Sequence, residues 1–339
     1  MKTLLFIAAA SVMFAQDIPS FSNAHLETRA FSGNLDSQLR STSPTWYGYQ
    51  VKTTQRDESC CWSDSNRGCW LEDHSGHHSG GLHSNGPVHL EGSAAAAVLY
   101  RVANNQIEKV QLYSMACPLD AGGLPVVWLT GVPMSASLAE LRQLAVSNST
   151  NRLTDSTIFA IAQHDDPQAD TILNQLAAPS QPERTREKVS FWLGTSRGVA
   201  GVQTLQQMLK NDPSDNVREK AVFGLYVSKE PQGAAALLEA AKYDSSPRVR
   251  SQAIFWIAQK AGKQAAATIA NAIENDPNTE VKKKAVFALS QLPKDDGIPK
   301  LIEVARTQKN PEVRKQAFFW LGQSGDPRAL AFFEQVLAK

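Results

Sequence analysis

Little in this chain fixes its chemistry at a glance, and each shortage excludes something. Only four cysteines occur in 339 residues, Cys60, Cys61, Cys69 and Cys117, and no two have the Cys-x-x-Cys spacing of a structural zinc site. The net charge is +1. Without a basic excess there is no broad surface for neutralising phosphates, so nucleic acid is not an expected partner. No His-Glu-x-x-His motif is present, which removes the usual zinc-hydrolase reading. No apolar run is long enough to span a bilayer as a helix.

What is present begins with an export signal. Lys2 is followed by the apolar run Leu4 to Ala10 and by small residues up to Ala15, the pattern of a cleaved signal peptide over residues 1–15. The expected location is the periplasm or the extracellular space, where disulfides persist. Length and composition suit more than one folded domain. Residues 16–45 are polar and Ser-rich without sustained periodicity and read as a flexible leader. Residues 46–130 carry short strand-like stretches, "TWYGYQVK", "AAAAVLYRV" and "IEKVQLYS", with "ANNQ" as a turn between the last two. They read as a small β-rich domain. Residues 131–339 become amphipathic helices broken by Asp-Pro, Ser-Pro and Asn-Pro turns. The expected fold class is α+β and multidomain.

Self-comparison at a shift of 32 residues stacks "REKVSFWLG", "REKAVFGLY", "RSQAIFWIA", "KKKAVFALS" and "RKQAFFWLG" without a gap. Phe159, Phe191, Phe223, Phe255, Phe287 and Phe319 share one register, and Arg186, Arg218, Arg250, Lys282 and Arg314 share another. Each unit reads as a helical hairpin. Ser214, Ser246, Asn278 and Asn310 stand where an N-cap is needed, and Pro247 and Pro311 follow at the first helical position. Ala221, Val222 and Leu225 form the buried stripe of one first helix, and Val202, Leu205, Met208 and Leu209 that of one second helix. A hairpin this small cannot bury its apolar face alone, whereas stacked neighbours can, so a solenoid is predicted. The position after the shared Phe alternates large and small, Trp128, Ala160, Trp192, Gly224, Trp256, Ala288 and Trp320. Interlocked packing is one reading and an aromatic ligand stripe the other.

Period, paired helices and turns such as "NDPSDNVR" and "NDPNTEVK" resemble the HEAT repeat family, in particular its short bacterial, lyase-type class, over roughly residues 122–339. "VVWLTGV", with Trp128, reads as the start of a degenerate capping unit. The resemblance implies an ionic ladder between units, placed on Asp212 with Arg218, Asp244 with Arg250, and Asp276 with Lys282, and broken at Gln308. Some HEAT-like proteins bind iron through His-Glu dyads, others excise bases, and others handle bilin chromophores as lyases. The array holds one histidine, His164, read as a loop residue beside a helix end, and no His-Glu pair. Bilin handling stays as the weaker alternative.

The resemblance also implies that the second helices line the binding side. Their exposed register holds Gln207, Glu239, Asn271, Glu303 and Gln335, flanked by Lys210, Lys242 and Arg306. They read either as a solvated face or as a groove for another protein, whose identity and stoichiometry the sequence leaves open. In an exported chain the four cysteines read as disulfides. Adjacent Cys60 and Cys61 would each reach Cys69 or Cys117. His74, His77, His78 and His83, with His89, Glu72 and Asp73 nearby, are the metal candidates, since neutral imidazole suits a transition-metal ion. Gly76, Gly80 and Gly81 argue for a loop, and so for weak binding or none and no required cofactor. The junction "CPLDAGGLPVVWL" reads as a fixed link in which Trp128 packs on the first repeat. Alternatively it is a ligand cleft with Asp120 as its polar group. The reading that results is an exported, non-enzymatic interaction scaffold. Against it stands a metal-binding protein or enzyme with its site in the His-rich loop or at the junction.

Overall fold

A computed structural model describes residues 18–54, 69–72, 94–147, 151–261 and 265–338. The apolar N-terminal run, Cys60, Cys61, His74, His77, His78, His83 and His89 lie outside the described residues. The chain divides into two compact units, Met1–Glu140 and Leu141–Lys339. The division falls inside a helix, α2 (Met134–Val146), rather than ahead of it.

The first unit is built from β1 (Phe21–Ser22), β2 (His25–Ala30), α1 (Leu35–Gln38), β3 (Thr45–Lys52), β4 (Cys69–Trp70), β5 (Ala95–Ala103), β6 (Gln106–Ser114), β7 (Leu119–Asp120) and β8 (Pro125–Thr130). Among the described residues these form a five-stranded sheet, β2-β8-β3-β5-β6, and a three-stranded one, β1-β7-β4. The three stretches expected to be strands are β3, β5 and β6. Asn104 and Asn105 turn the β5–β6 hairpin with φ of 53° and 58°, the left-handed pair that a two-residue hairpin loop requires.

The leader expectation is corrected from residue 18 onward. β2 pairs in parallel with β8 along its whole length, and α1, capped by Asn34, buries Leu35. All six residues of β2 are exposed. An edge strand of that kind has no apolar alternation, so periodicity could not mark it. Trp128 is corrected too. It lies on β8, fully buried among Trp46, Leu99, Cys69 and Cys117, and belongs to the sheet core rather than to a repeat. Gly48 makes room for it, since a Cβ there would stand 2.7 Å from Leu99 and 2.8 Å from the Trp128 ring. At the centre of this unit Tyr49 meets Tyr100 at 2.9 Å and Ser137 at 2.7 Å, hydroxyl to hydroxyl. Burial pushes both phenols well above their ordinary range.

The second unit continues as α3 (Asn151–Gln163), α4 (Pro167–Leu176), α5 (Glu183–Ser196), α6 (Gly198–Asn211), α7 (Asp215–Val227), α8 (Pro231–Tyr243), α9 (Pro247–Ala261), α10 (Ala265–Asn275), α11 (Thr279–Ser290), α12 (Lys294–Thr307), α13 (Pro311–Gln323) and α14 (Pro327–Leu337). First helices stack on first helices, α3 through α13. Second helices also stack, α4 on α6, α6 on α8, α8 on α10 and α12 on α14. Ser214, Asn278 and Asn310 accept from first-turn amides as N-caps. Ala221, Val222, Leu225, Ala253, Ile254 and Ile257 are fully buried, while Leu209 is only half-buried.

The three helical indoles of the alternating series reach back to the preceding unit's phenylalanine, Trp192 to Phe159 at 4.6 Å, Trp256 to Phe223 at 5.2 Å and Trp320 to Phe287 at 4.9 Å. Between these contacts Phe191 stacks on Phe223, and Phe255 on Phe287. The rings therefore stitch successive units together, as the packing reading expects. Gly224 is small because α5 and α7 approach so closely that a Cβ would stand 2.4 Å from the Ser190 carbonyl.

Candidate functional site

The ionic ladder exists, but its rungs are offset from the expected pairs. Arg186 bonds Asp212 at 2.7 Å, Arg218 bonds Asp244 at 3.0 Å, and Arg250 bonds Asp276 at 2.7 Å, all with buried side chains. Two of the three expected pairs do touch, through the backbone: Arg218 donates to the Asp212 carbonyl at 2.9 Å and Arg250 to the Asp244 carbonyl at 2.8 Å. The reason is geometric. Each Asp closes a second helix, so its carboxylate meets the arginine at the start of the same hairpin while its carbonyl faces the next one. These bonds hold the Arg218 and Arg250 guanidiniums above their ordinary pKa. The ladder stops where expected. Gln308 donates instead to the Ile273 carbonyl, and Lys282 to that of Glu274.

His164 follows the last residue of α3, the helix-end position expected of it, but it is a core residue there rather than an exposed one. It is fully buried, its Nδ1 lies 2.7 Å from the Ala160 carbonyl, and burial lowers its pKa to about 4. Arg197 seals this hairpin end, donating to Asp170 at 2.7 Å and to the His164 carbonyl at 2.7 Å.

Two adjoining clefts open on the second-helix face. One, of about 510 Å³, lies between α4 and α6 and includes Asn174, Gln203, Thr204, Gln207 and Asn211. The other, of about 640 Å³, lies between α6 and α8 and includes Gln206, Lys210, Glu239 and Tyr243. Gln206, Asn211 and Asp212 line both, so the clefts adjoin on either side of α6. Three of the sequence candidates, Gln207, Lys210 and Glu239, are thereby brought together. Asn271, Glu303 and Gln335 are exposed at the matching positions further along, where Arg306 bonds Gln335 at 2.8 Å and lies over the Phe332 ring. Lys242 is exposed and does not line either cleft. The reading of single positions missed Asn211 and Tyr243. They stand four residues after Gln207 and Glu239, one helical turn away on the same face.

In the first unit, Glu72 accepts from the Trp46 indole at 2.9 Å and from Arg101 at 2.8 Å, which engages it in the fold. Asp120 accepts from Asn23 at 2.7 Å and from the Gly122 amide at 2.8 Å. Cys69 and Cys117 are fully buried, and neither is a free thiol. Among the described residues no three His, Cys, Asp or Glu side chains gather as a metal site, and no helix is long and apolar enough to cross a membrane.

Stacked hairpins of this kind, two helices per unit and one core running through them, define an α-solenoid. The family model of HEAT repeats matches residues 169–258, 234–315 and 265–339, and the chain belongs to the HEAT repeat family. Human deoxyhypusine hydroxylase in complex with glycerol is similar at 19% identity, covering 60% of this chain and 84% of that one, with a TM-score of 0.27. The complex of CpcE and CpcF of phycocyanin lyase from Nostoc sp. PCC7120 is similar at 20% identity, over 46% and 99% of the two chains, with a TM-score of 0.36. Kap95p, in its complex with RanGDP, is similar at 17% identity over 61% and 32%, with a TM-score of 0.41. These likenesses concern the helical fold alone. No curated protein matches the chain.

Proposed function

We propose that this protein is an exported scaffold that holds another protein on the second-helix face of its solenoid, without a chemical step of its own. The observation that carries the reading is the pair of adjoining clefts on either side of α6, lined by exposed polar side chains over a floor whose Asp212 and Asp244 are already paired. A face of that kind offers hydrogen bonds to a partner while the buried charges keep the hairpins in place. The export pattern of residues 1–15 supports a periplasmic or extracellular location. Cys69 and Cys117, buried and not free, support a first unit held by disulfides.

Affinity capture from an envelope extract tests the proposal. The wild-type chain should retain a partner that is lost when Glu239→Lys and Glu303→Lys are combined, because both positions lie on the proposed face. Retention of the same partner by the double variant would overturn the placement. Recovery of the unprocessed chain from the cytoplasm alone would overturn export.

A further inference from the structure

The groove says more about its occupant than that it is a protein. We infer, resting on the reading above, that the occupant is an extended, weakly charged stretch of polypeptide held chiefly by its backbone. Five of the lining side chains are amides, Asn174, Gln203, Gln206, Gln207 and Asn211. Each carries a donor and an acceptor, the same pair that every peptide unit presents. Hydrogen bonds hold several of them in place: Asn211 donates to Gln207 at 3.0 Å, and Thr204 donates to Asn174. The arrangement recurs two units on, where Asn275 donates to Asn271 at 2.7 Å. An amide pair one helical turn apart therefore stands on α6 and again on α10.

Spacing agrees with this occupant. Packed helices lie about 8–10 Å apart, and an extended chain advances about 3.3 Å per residue. A strand crossing the second helices meets a new one about every third residue, so amides on α4 and α6 fall at intervals that its peptide groups can match.

Charge narrows the class. Asp212 and Asp244 are tied to Arg186 and Arg218, which leaves Lys210 and Glu239 as one charge of each sign along the cleft between α6 and α8. That balance selects against strongly acidic or strongly basic segments and favours single opposite charges on the occupant. Tyr243, 74% exposed, stands at the edge as the one aromatic lining the two clefts. A sugar polymer would ask for several such platforms, and a folded partner would meet two clefts parted by α6 rather than a broad flat face.

Fluorescence anisotropy on the full chain tests the assignment. The probes are labelled 12-residue peptides of low net charge, their backbone N-methylated counterparts, and one small protein supplied both native and permanently unfolded by carboxymethylation. Binding is expected for the peptides and for the unfolded protein only. N-methylation, or Gln207→Ala with Asn211→Ala, should weaken it about tenfold, the effect of one or two lost hydrogen bonds. Both residues are exposed, so the variant's thermal melt should match that of the wild type. Lys220→Ala, on the first-helix face, should bind normally. Equal binding of native and unfolded forms, indifference to N-methylation, or competition by oligosaccharide would each overturn the inference. Capture of a folded envelope partner with no peptide binding would overturn it and leave the scaffold reading standing. Loss of both would end both.

Discussion

His164 shows how burial turns a chemically versatile side chain into a structural one. Its ring is fully buried and its pKa is lowered to about 4, because the core penalises the imidazolium. Between the ordinary value of 6.5 and about 4, the unfolded chain takes up a proton that the folded chain refuses. The stability this group contributes is therefore constant above that window and falls as pH drops through it, by about 3 kcal/mol in total. Urea unfolding from pH 7.5 to 4.5 should show this slope, and His164→Asn should flatten it. NMR titration of the imidazole should find no protonation at pH 6. Gly224 makes a complementary point about space. Gly224→Ala places a Cβ 2.4 Å from the Ser190 carbonyl, so the variant should lose about 1–3 kcal/mol despite the gain in helix propensity.

Between helices, the ladder and the aromatic rings divide the work of joining hairpins. Both belong to first helices and the turns that follow second helices, which leaves exposed second-helix side chains such as Gln207 and Glu239 outside the ladder and the ring contacts. Asp276→Ala strands the buried Arg250 guanidinium, and loss of one partner of a buried pair costs about 3–5 kcal/mol. Replacing both, as Arg250→Met with Asp276→Leu, should cost markedly less in the same denaturation experiment, since no unpaired charge remains. Equal losses for single and double variants would show that the rung acts only as packing. The offset of the rungs was hidden from one-dimensional reading. The resemblance placed Asp and Arg together because they are near in sequence, whereas the carboxylate turns toward the arginine one hairpin length earlier.

For the molecule as a whole, each unit owes its cohesion to a different device. The solenoid has a continuous core and needs no covalent staple. The first unit has a small core centred on Trp46, Trp128, Cys69 and Cys117. If disulfides complete it, reductant should lower its stability by about 2–5 kcal/mol and leave the helical transition unmoved. Intact mass with and without reductant, after alkylation in denaturant, gives the direct count. Alkylation of all four cysteines without reductant would overturn the disulfide reading.

The repeat array could be read from residues alone, because a 32-residue period, caps and apolar stripes are all local signals written again in each unit. The β3, β5 and β6 strands and the Asn104–Asn105 turn were legible for the same reason. The edge strand β2 was not, since its pairing with β8 joins segments far apart in the chain and its six exposed residues carry no alternation. Trp128 looked like one more member of the repeat series until the sheet placed it in another core. Three of the groove positions were visible as exposed members of a register. That they line adjoining clefts with Asn174, Gln203 and Asn211 follows only from stacking, because residues about thirty apart meet when hairpins pack side by side. Periodicity specifies the hairpin, and the packing of hairpins decides which polar side chains face a common ligand.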